Sequence, residues 1–155
     1  MIFLAAALQL PAAAQAAWGT QTYRVVGIAD GDTLTAFSAG QPQVKCRLYG
    51  IDAPEKKQAY GQASKASLSA LAFGRTAQID IVDRDRYGRA VCKVRVGGVD
   101  VNKEQIQRGM AWMYRRYAKD PAYSDAEANA QARRIGIWRD VRPIAPWDFR
   151  RKRKA

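Results

Sequence analysis

The sequences DGDT at residues 30–33 and RLYGIDAPE at residues 47–55 decide how the rest of this chain is interpreted. Together they contribute four carboxylates to a protein whose formal net charge is +12, namely those of Asp30, Asp32, Asp52 and Glu55. Acidic side chains gathered in so basic a chain indicate a site for a hard cation, because calcium and magnesium prefer oxygen ligands. Two ordinary turns are the alternative, since Asp-Gly is also a common hairpin signal.

A third charged motif, DRDRYGR at residues 83–89, favours the functional interpretation. In this order and spacing, the three motifs resemble those of the staphylococcal nuclease (thermonuclease) family, and the resemblance extends from about Arg24 to Trp147. It implies an α+β fold based on a five-stranded Greek-key OB-fold β-barrel, which is an architecture that often binds nucleic acid.

The composition limits the chemistry available to the chain. Its 155 residues are enough for one domain with a hydrophobic core. The first 22 residues carry no charged side chain, so the whole +12 falls on the remainder. Such a basic remainder points to a polyanionic partner such as nucleic acid, with a generally basic surface as the alternative. The absence of histidine excludes histidine triads and histidine metal sites, and two cysteines alone cannot form a four-ligand zinc site.

Residues 1–17 have the features of a secretory signal peptide. An apolar run leads into Ala-rich sequence, with small residues before a cleavage point after Ala16 or Ala17. The run is too short to cross a bilayer. It lacks the Lys or Arg that usually precedes it, so an N-terminal extension of another kind is the alternative. We expect a secreted or periplasmic protein with no stable membrane association.

Hydrophobic periodicity predicts a mixed α and β domain over residues 23–149. Strands are predicted at 23–29, 33–38, 43–51, 78–82 and 90–96. About three helices are predicted, at 59–73, from Asn102 to Gly109, and from Ser124 to Gly136. Ser124 to Glu127 has the pattern of a capping box. Residues 150–155 are interpreted as a solvated basic tail, which would add nonspecific attraction to phosphate or have no dedicated role.

The family resemblance implies a calcium site at the first two motifs. Asp32 and Asp52 are the expected ligands, the backbone carbonyl of Ala53 is the third oxygen, and Asp30 supports the site from beside it. Ligation by oxygen alone favours Ca²⁺ over Mg²⁺ or Mn²⁺, and disfavours zinc. Ala53 stands where the best-known members carry threonine, which a backbone ligand tolerates.

The resemblance also assigns catalytic roles to three side chains. Glu55 is the expected general base for an attacking water, and Arg47 and Arg89 are the expected phosphate clamps. A guanidinium suits this role because it offers a planar fork to two phosphate oxygens and stays charged. Surface ion pairing is the alternative for both arginines.

Four further residues are candidates for substrate binding. Arg86 and Tyr87 resemble family positions that contact a neighbouring phosphate, and Tyr114 and Tyr117 lie in the sequence WMYRRY, where aromatic and basic residues alternate. Such tyrosines are suited to stacking on bases. Packing in the protein core is the alternative for Trp112 and Met113 of the same sequence.

Cys46 and Cys92 form a possible disulfide. Each has the opposite strand parity to the neighbouring candidate arginine, Arg47 or Arg89, so both cysteines are expected to face the barrel interior. In an oxidising compartment they could pair across adjacent strands. Two buried free thiols are the alternative.

Taken together, these features predict a secreted or periplasmic, Ca²⁺-dependent nuclease. By the resemblance, it leaves 3′-phosphate ends. Recognition through phosphate and stacking fits hydrolysis of DNA and RNA with little sequence preference, and we expect a monomer that acts on single-stranded or locally melted substrate. One rival is an inactive OB-fold module that binds single-stranded nucleic acid. A scaffold protein that uses only its basic charge is a further rival.

Overall fold

A closed β-barrel lies at the centre of the structure, a computed structural model that describes residues 21–154. The strands are β1 (Gln21–Ile28), β2 (Thr33–Phe37), β3 (Val44–Leu48), β4 (Ile51–Asp52), β5 (Thr76–Arg84), β6 (Ala90–Val96), β7 (Val99–Asp100) and β8 (Trp112–Met113). Hydrogen bonds join the larger sheet in the order β3-β2-β1-β5-β6-β7, and β3 also pairs with β6 in parallel. This last pairing closes five strands into a barrel and confirms the predicted fold class.

Within residues 21–154, four α-helices surround the barrel. They are α1 (Gly61–Ala72), α2 (Val101–Gln107), α3 (Pro121–Ala132) and α4 (Pro146–Lys152), with a short 3-10 helix at Gly136–Arg139. The first three correspond to the predicted helices, whereas α4 was not predicted. Residues 150–152, assigned to a basic tail from the sequence, therefore belong to a helix. None of the helices between residues 21 and 154 has the length and apolar character of a membrane span.

The barrel interior follows the alternation of the strand sequences. Ala90, Cys92, Val94 and Val96 of β6 are buried and the residues between them are more exposed. Cys46 of β3 is also fully buried and forms a disulfide with Cys92, with the two Cα atoms 5.7 Å apart. The disulfide therefore links two neighbouring strands inside the barrel. The predicted signal peptide at residues 1–17 lies outside the described residues.

Helix α3 begins upstream of the predicted capping box. Asp120 is its N-cap, with the carboxylate accepting a hydrogen bond from the Ala122 N–H at 2.9 Å, and Pro121 occupies the first turn. Glu127, expected to close the capping box, is buried and accepts a hydrogen bond from the Met113 N–H at 2.9 Å. The predicted start was wrong because Asp followed by Pro already provides a cap and a preorganised first turn.

Asn102 likewise supports the fold without capping α2. The N-cap is Asp100, whose carboxylate accepts a hydrogen bond from the Lys103 N–H at 2.9 Å. The buried Asn102 amide accepts a hydrogen bond from the Val94 N–H at 3.1 Å and donates one to the Cys92 carbonyl at 3.0 Å. Asn102 thus attaches α2 to the barrel strand that carries the disulfide.

Candidate active site

The turn between β1 and β2 places Asp32 inside the protein. The Asp30 carboxylate accepts a hydrogen bond from the Asp32 N–H at 3.1 Å, as in tight Asx turns. The Leu48 N–H donates to the Asp32 carbonyl at 2.8 Å, which fixes the turn to the end of β3. Gly31 leaves no room for a side chain, since a Cβ there would lie 1.8 Å from the Ser64 Oγ. The Asp32 side chain is therefore held in one position, and the residue is only 6% exposed.

The first two motifs meet through direct contacts. Asp32 Oδ2 accepts a hydrogen bond from the Ala53 N–H at 2.7 Å. Arg47 Nη1 lies 3.0 Å from Asp32 Oδ2, and Arg47 Nη2 lies 3.1 Å from Asp52 Oδ1. Arg47 also donates to the Ile51 carbonyl at 3.0 Å. The Arg47 guanidinium thus bridges the two carboxylates that the sequence assigned to a metal.

An arginine of α4 completes this group of charges. Arg150 Nη2 lies 2.7 Å from Asp52 Oδ2, and Arg150 Nη1 lies 2.8 Å from Glu55 Oε1. Asp52 is 1% exposed, and its carboxylate lies between Arg150 and Arg47. The hydrogen bond to Asp52, opposed by burial and reinforced by Glu55, raises the pKa of the Arg150 guanidinium above its ordinary value. The carboxylate cluster is the name we give to the five side chains joined by these ion pairs: Asp32, Arg47, Asp52, Glu55 and Arg150.

The segment after β4 fixes the backbone of Glu55 and leaves its side chain accessible. The Gln58 N–H donates to the Glu55 carbonyl at 2.8 Å, and the Glu55 N–H donates to the Gln58 side-chain oxygen at 3.1 Å. Gly61 packs against the same carbonyl, where an added Cβ would lie only 2.0 Å away. The Glu55 side chain is 35% exposed. A water molecule can therefore approach this carboxylate from solvent.

Burial makes Asp32 hard to ionise. It raises the pKa of Asp32 to about 7; Arg47 and the Ala53 N–H act in the opposite direction, and Asp30 and Asp52 add to the rise. Added positive charge would stabilise the ionised form. The acidic side chains described at 21–154 do not form a metal cluster of three by themselves. The donor set that fits a hard cation here consists of two carboxylates and a backbone oxygen.

Residues 83–89, which we call the arginine loop, are held mainly by contacts within the loop. Arg89 Nε lies 2.6 Å from Asp85 Oδ2, and Asp85 Oδ1 accepts hydrogen bonds from the N–H groups of Tyr87 and Arg89. Burial would raise the pKa of Asp85, but the hydrogen bonds from Arg89 and Tyr87 outweigh it and lower that pKa. The guanidinium groups of Arg86 and Arg89 lie 4.9 and 5.6 Å from the centre of the Tyr87 ring.

The barrel connects the arginine loop to the carboxylate cluster. In the parallel pairing of β3 with β6, Arg47 is aligned with Val91. Arg89 therefore lies two residues before the partner of Arg47. The Cys46–Cys92 disulfide joins the same two strands. Arg47 thus lies in β3 and Arg89 lies directly before the neighbouring strand β6. Arg89 contacts Asp85, whereas Arg47 contacts Asp32 and Asp52.

The two candidate stacking tyrosines belong to a row of aromatic rings. Tyr114 and Tyr117 make an edge contact, with ring centroids 5.1 Å apart, and Tyr114 stacks on Trp147 of α4 at 5.6 Å and 20°. Trp147 also contacts Trp112, which pairs with Asp52 across β4 and β8. The aromatic row therefore begins beside the carboxylate cluster. Tyr117 is 59% exposed, and the Arg116 guanidinium lies 5.8 Å from the centre of its ring.

The structure brings most of the predicted residues together at the first two motifs. Those that meet there are Asp30, Asp32, Arg47, Asp52, Ala53 and Glu55, while Arg86, Tyr87 and Arg89 lie in the arginine loop and Tyr114 and Tyr117 in the aromatic row. Arg150 and Trp147 were missed by sequence reasoning. The available signal was Pro146, because proline is common at the first position of a helix.

Residues 45–140 match the family model described as Staphylococcal nuclease homologue. The matched segment contains the RLYGIDAPE motif and the arginine loop, while DGDT and α4 lie outside it.

Similar proteins come from several bacteria. An uncharacterized endonuclease of Haemophilus influenzae is 46% identical over 133 residues, covering 86% of this chain and 75% of the relative. Protein ParB of Escherichia coli is 38% identical over 163 aligned positions, covering 98% of this chain and 92% of the relative. A micrococcal nuclease of Shigella flexneri is 36% identical over 149 residues, covering 89% of this chain and 85% of the relative.

Proposed function

The chain belongs to the staphylococcal nuclease family, and from this premise we propose that it is a calcium-dependent nuclease that hydrolyses DNA and RNA. The observation that carries the proposal is the convergence of Asp32, Asp52 and Glu55 around Arg47 and Arg150. Two buried carboxylates beside an accessible one provide separate groups for holding a cation and for accepting a proton.

Asp32, Asp52 and the carbonyl of Ala53 are the groups that would hold calcium. The high pKa of Asp32 supports this assignment, because a nearby cation would stabilise the charge that burial disfavours. When bound, calcium supplies charge neutralisation for the phosphate and its attacking oxygen. Asp30 would act indirectly, through its hydrogen bond to the Asp32 N–H.

Glu55 is the proposed general base. Its side chain is 35% exposed while its backbone is fixed by Gln58, so the carboxylate is both accessible to water and positioned. Glu55 would take one proton of the attacking water as the water oxygen bonds to phosphorus. The bond between phosphorus and the 5′ oxygen would break, and the leaving oxygen would take a proton from solvent water. The products would be a 3′-phosphate end and a 5′-hydroxyl end.

Arg47 and Arg89 are the proposed phosphate clamps. Arg47 lies in β3 and Arg89 directly precedes the neighbouring strand β6, and each can present a planar fork to phosphate oxygens. Charge that grows on those oxygens toward the transition state would be stabilised by both guanidinium groups. In the present structure both groups pair with carboxylates, which orients them.

Broad substrate use follows from the residues around the cluster. Arg86 is suited to a neighbouring phosphate, while Tyr87, Tyr114 and Tyr117 are suited to ring contacts with substrate. Neither kind of contact reads base edges, so little sequence preference is expected. Stacking requires unpaired bases, so we propose single-stranded or locally melted DNA and RNA as substrates, bound by a monomer.

A secreted or periplasmic location is part of the proposal. Buried cysteines joined in a disulfide are typical of proteins that fold in oxidising compartments. The signal-like composition of residues 1–17 points the same way. Chromatography of periplasmic and cytoplasmic extracts from cells expressing the full chain, followed by mass measurement of its N-terminus, tests both the location and the cleavage position.

The test of activity uses heat-denatured DNA and RNA, with calcium or with a chelator, and compares wild type with Glu55→Gln. Glu104→Gln on α2 is a matched control, since Glu104 makes a surface ion pair with Arg108. We expect calcium-dependent cleavage by wild type and the control, and strong loss in Glu55→Gln. Product DNA should support polymerase extension only after phosphatase treatment, as 3′-phosphate ends require. Salt-sensitive binding without cleavage under any divalent ion would refute the proposal and favour an inactive binding barrel.

A further inference from the structure

We propose that Arg150 is a positioning residue of the active site, which holds Glu55 and Asp52 in their working arrangement and makes α4 part of the catalytic apparatus. This inference rests on the proposed function. The contact spans 95 residues of sequence to Glu55 and 98 to Asp52, so it exists only in the folded chain. It links a candidate base with a candidate metal ligand through one side chain.

The geometry of the contact uses the shape of a guanidinium. Arg150 Nη2 lies 2.7 Å from Asp52 Oδ2, and Nη1 lies 3.2 Å from Asp52 Oδ1 and 2.8 Å from Glu55 Oε1. The two nitrogens thus face both oxygens of one carboxylate and one oxygen of the other. A lysine ammonium is a point charge on a flexible stem and cannot reproduce this fork.

The position of Arg150 is set by how α4 is held against the barrel. On one side, the Gln58 side chain donates to the Ile144 carbonyl at 2.6 Å, which ties the segment before α4 to the segment of Glu55. On the other side, Trp147 contacts Tyr114 and Trp112. Two attachments from different parts of the chain therefore orient the helix that carries the guanidinium.

The neighbouring arginine shows that charge alone does not account for the contact. Arg151 is next in sequence, has the same side chain and pairs with Asp148 of its own helix. Its side chain is 79% exposed, against 40% for Arg150. Arg151 therefore provides a matched control, because replacing it removes the same charge from α4 without changing the carboxylate cluster.

Loss of Arg150 should have two opposite effects. Glu55 would lose the partner that restrains its side chain, and small displacements of a catalytic group lower turnover by up to about 100-fold. Calcium binding would tighten, because a positive charge next to Asp52 opposes a second cation there. A purely structural role for α4 would instead weaken calcium binding together with stability.

The experiment compares wild type with Arg150→Gln, Arg150→Lys and Arg151→Gln. Calcium affinity is measured by isothermal titration, stability by thermal unfolding in a chelator, and kcat and KM on denatured DNA. In Arg150→Gln we expect kcat to fall at least about 10-fold with little change in KM, and the Kd for calcium to fall roughly 5-fold or more. Arg150→Lys should keep the calcium affinity of wild type and still have reduced kcat. Arg151→Gln should match wild type in every measurement.

Several outcomes would overturn the inference. One is unchanged kcat in Arg150→Gln, in which case the proposed nuclease activity of wild type would still stand. Another is weaker calcium binding together with a lower melting temperature in that variant, which would assign Arg150 a structural role. If wild type cleaves nothing, the proposed function fails, and the calcium titration then tests whether Arg150 acts on the carboxylates. Tighter calcium binding in Arg150→Gln than in wild type would support that action of Arg150. Unchanged calcium binding, or none, would overturn it.

Discussion

The carboxylate cluster and the arginine loop are both rich in Asp and Arg, but they are constructed in different ways. In the cluster, Asp52 is 1% exposed and is held by Arg47 and by the distant Arg150. In the loop, Arg89 pairs with Asp85 four residues away, and both side chains are partly exposed. The cluster depends on the folded barrel and α4, whereas the loop is ordered largely by its own contacts.

This difference suits different tasks. Buried charges held from several directions are positioned with little freedom, as a metal site and a general base require. Charges on an exposed loop can change partners at small energetic cost, because exposed ion pairs contribute little to stability. We infer that Arg89 exchanges Asp85 for a phosphate more readily than Arg47 leaves Asp32 and Asp52.

The largest expected effect comes from removing the covalent link between the two regions. The Cys46–Cys92 disulfide closes a loop with a sequence separation of 46. It joins β3, which carries Arg47, to β6, which begins directly after Arg89. Replacing both cysteines by alanine should lower the free energy of unfolding by about 4 kcal/mol. Urea denaturation of oxidised wild type and the double variant measures this change. A difference below about 1 kcal/mol would show that the barrel alone holds the two strands together.

The next effect contrasts one aspartate from each region. Asp52→Asn leaves Arg47 and Arg150 facing a neutral amide in a buried site, so the free energy of unfolding in a chelator should fall by about 3 kcal/mol. Asp85→Asn removes the partly exposed ion pair with Arg89, so the free energy of unfolding should fall by about 1 kcal/mol or less. Equal losses in the two variants would contradict the distinction between a buried cluster and a locally ordered loop.

Between about pH 5 and about pH 8, the pKa of Asp32 in the cluster gives rise to a pH effect on stability, whereas the lowered pKa of Asp85 in the loop acts only at more acidic pH. The pKa of Asp32 is raised from 3.8 to about 7, so the folded protein binds a proton between these values where the unfolded chain does not. The resulting stability is present in full below the unfolded value and is lost as the pH rises through about 7. The free energy of unfolding is measured in urea with a chelator, at about pH 5 and at about pH 8. Between these pH values it should fall more for wild type than for Asp32→Asn. The same pH dependence in both proteins would refute the assignment to Asp32.

The smallest effect on stability is expected in the arginine loop. Arg86 is exposed and lies over the Tyr87 ring, so Arg86→Ala should change the free energy of unfolding by less than about 0.5 kcal/mol. Substrate binding should weaken, seen as a higher KM on denatured DNA with kcat nearly unchanged. A fall in kcat with constant KM would indicate that Arg86 acts on the reacting phosphate itself.

Sequence reasoning succeeded where the signal is local or periodic. Alternation predicted that Cys46 and Cys92 face the barrel interior, and both are fully buried. The family resemblance assigned Asp32 and Asp52 to one site, and the structure connects their carboxylates through Arg47. The fold class and the family are confirmed.

Sequence reasoning failed where a contact depends on the packing of distant segments. Arg150 lies in the run RRKRK, and nothing in that composition distinguishes one arginine from its neighbours. Its partners lie 95 and 98 residues earlier, so only the docking of α4 selects it. Glu127 was misassigned for the same reason: its position suited a capping box, but in the folded chain it is buried and accepts a hydrogen bond from the Met113 N–H. Tertiary contacts override local patterns at both positions.

The most direct test of the account is a calcium titration of wild type and Asp52→Asn, with cleavage of denatured DNA measured on the same samples. We expect calcium binding and cleavage by wild type, and loss of both in Asp52→Asn while circular dichroism shows a folded barrel. Cleavage by Asp52→Asn at the wild-type rate, or calcium binding unaffected by the substitution, would contradict the claim that the carboxylate cluster is a calcium-dependent active site.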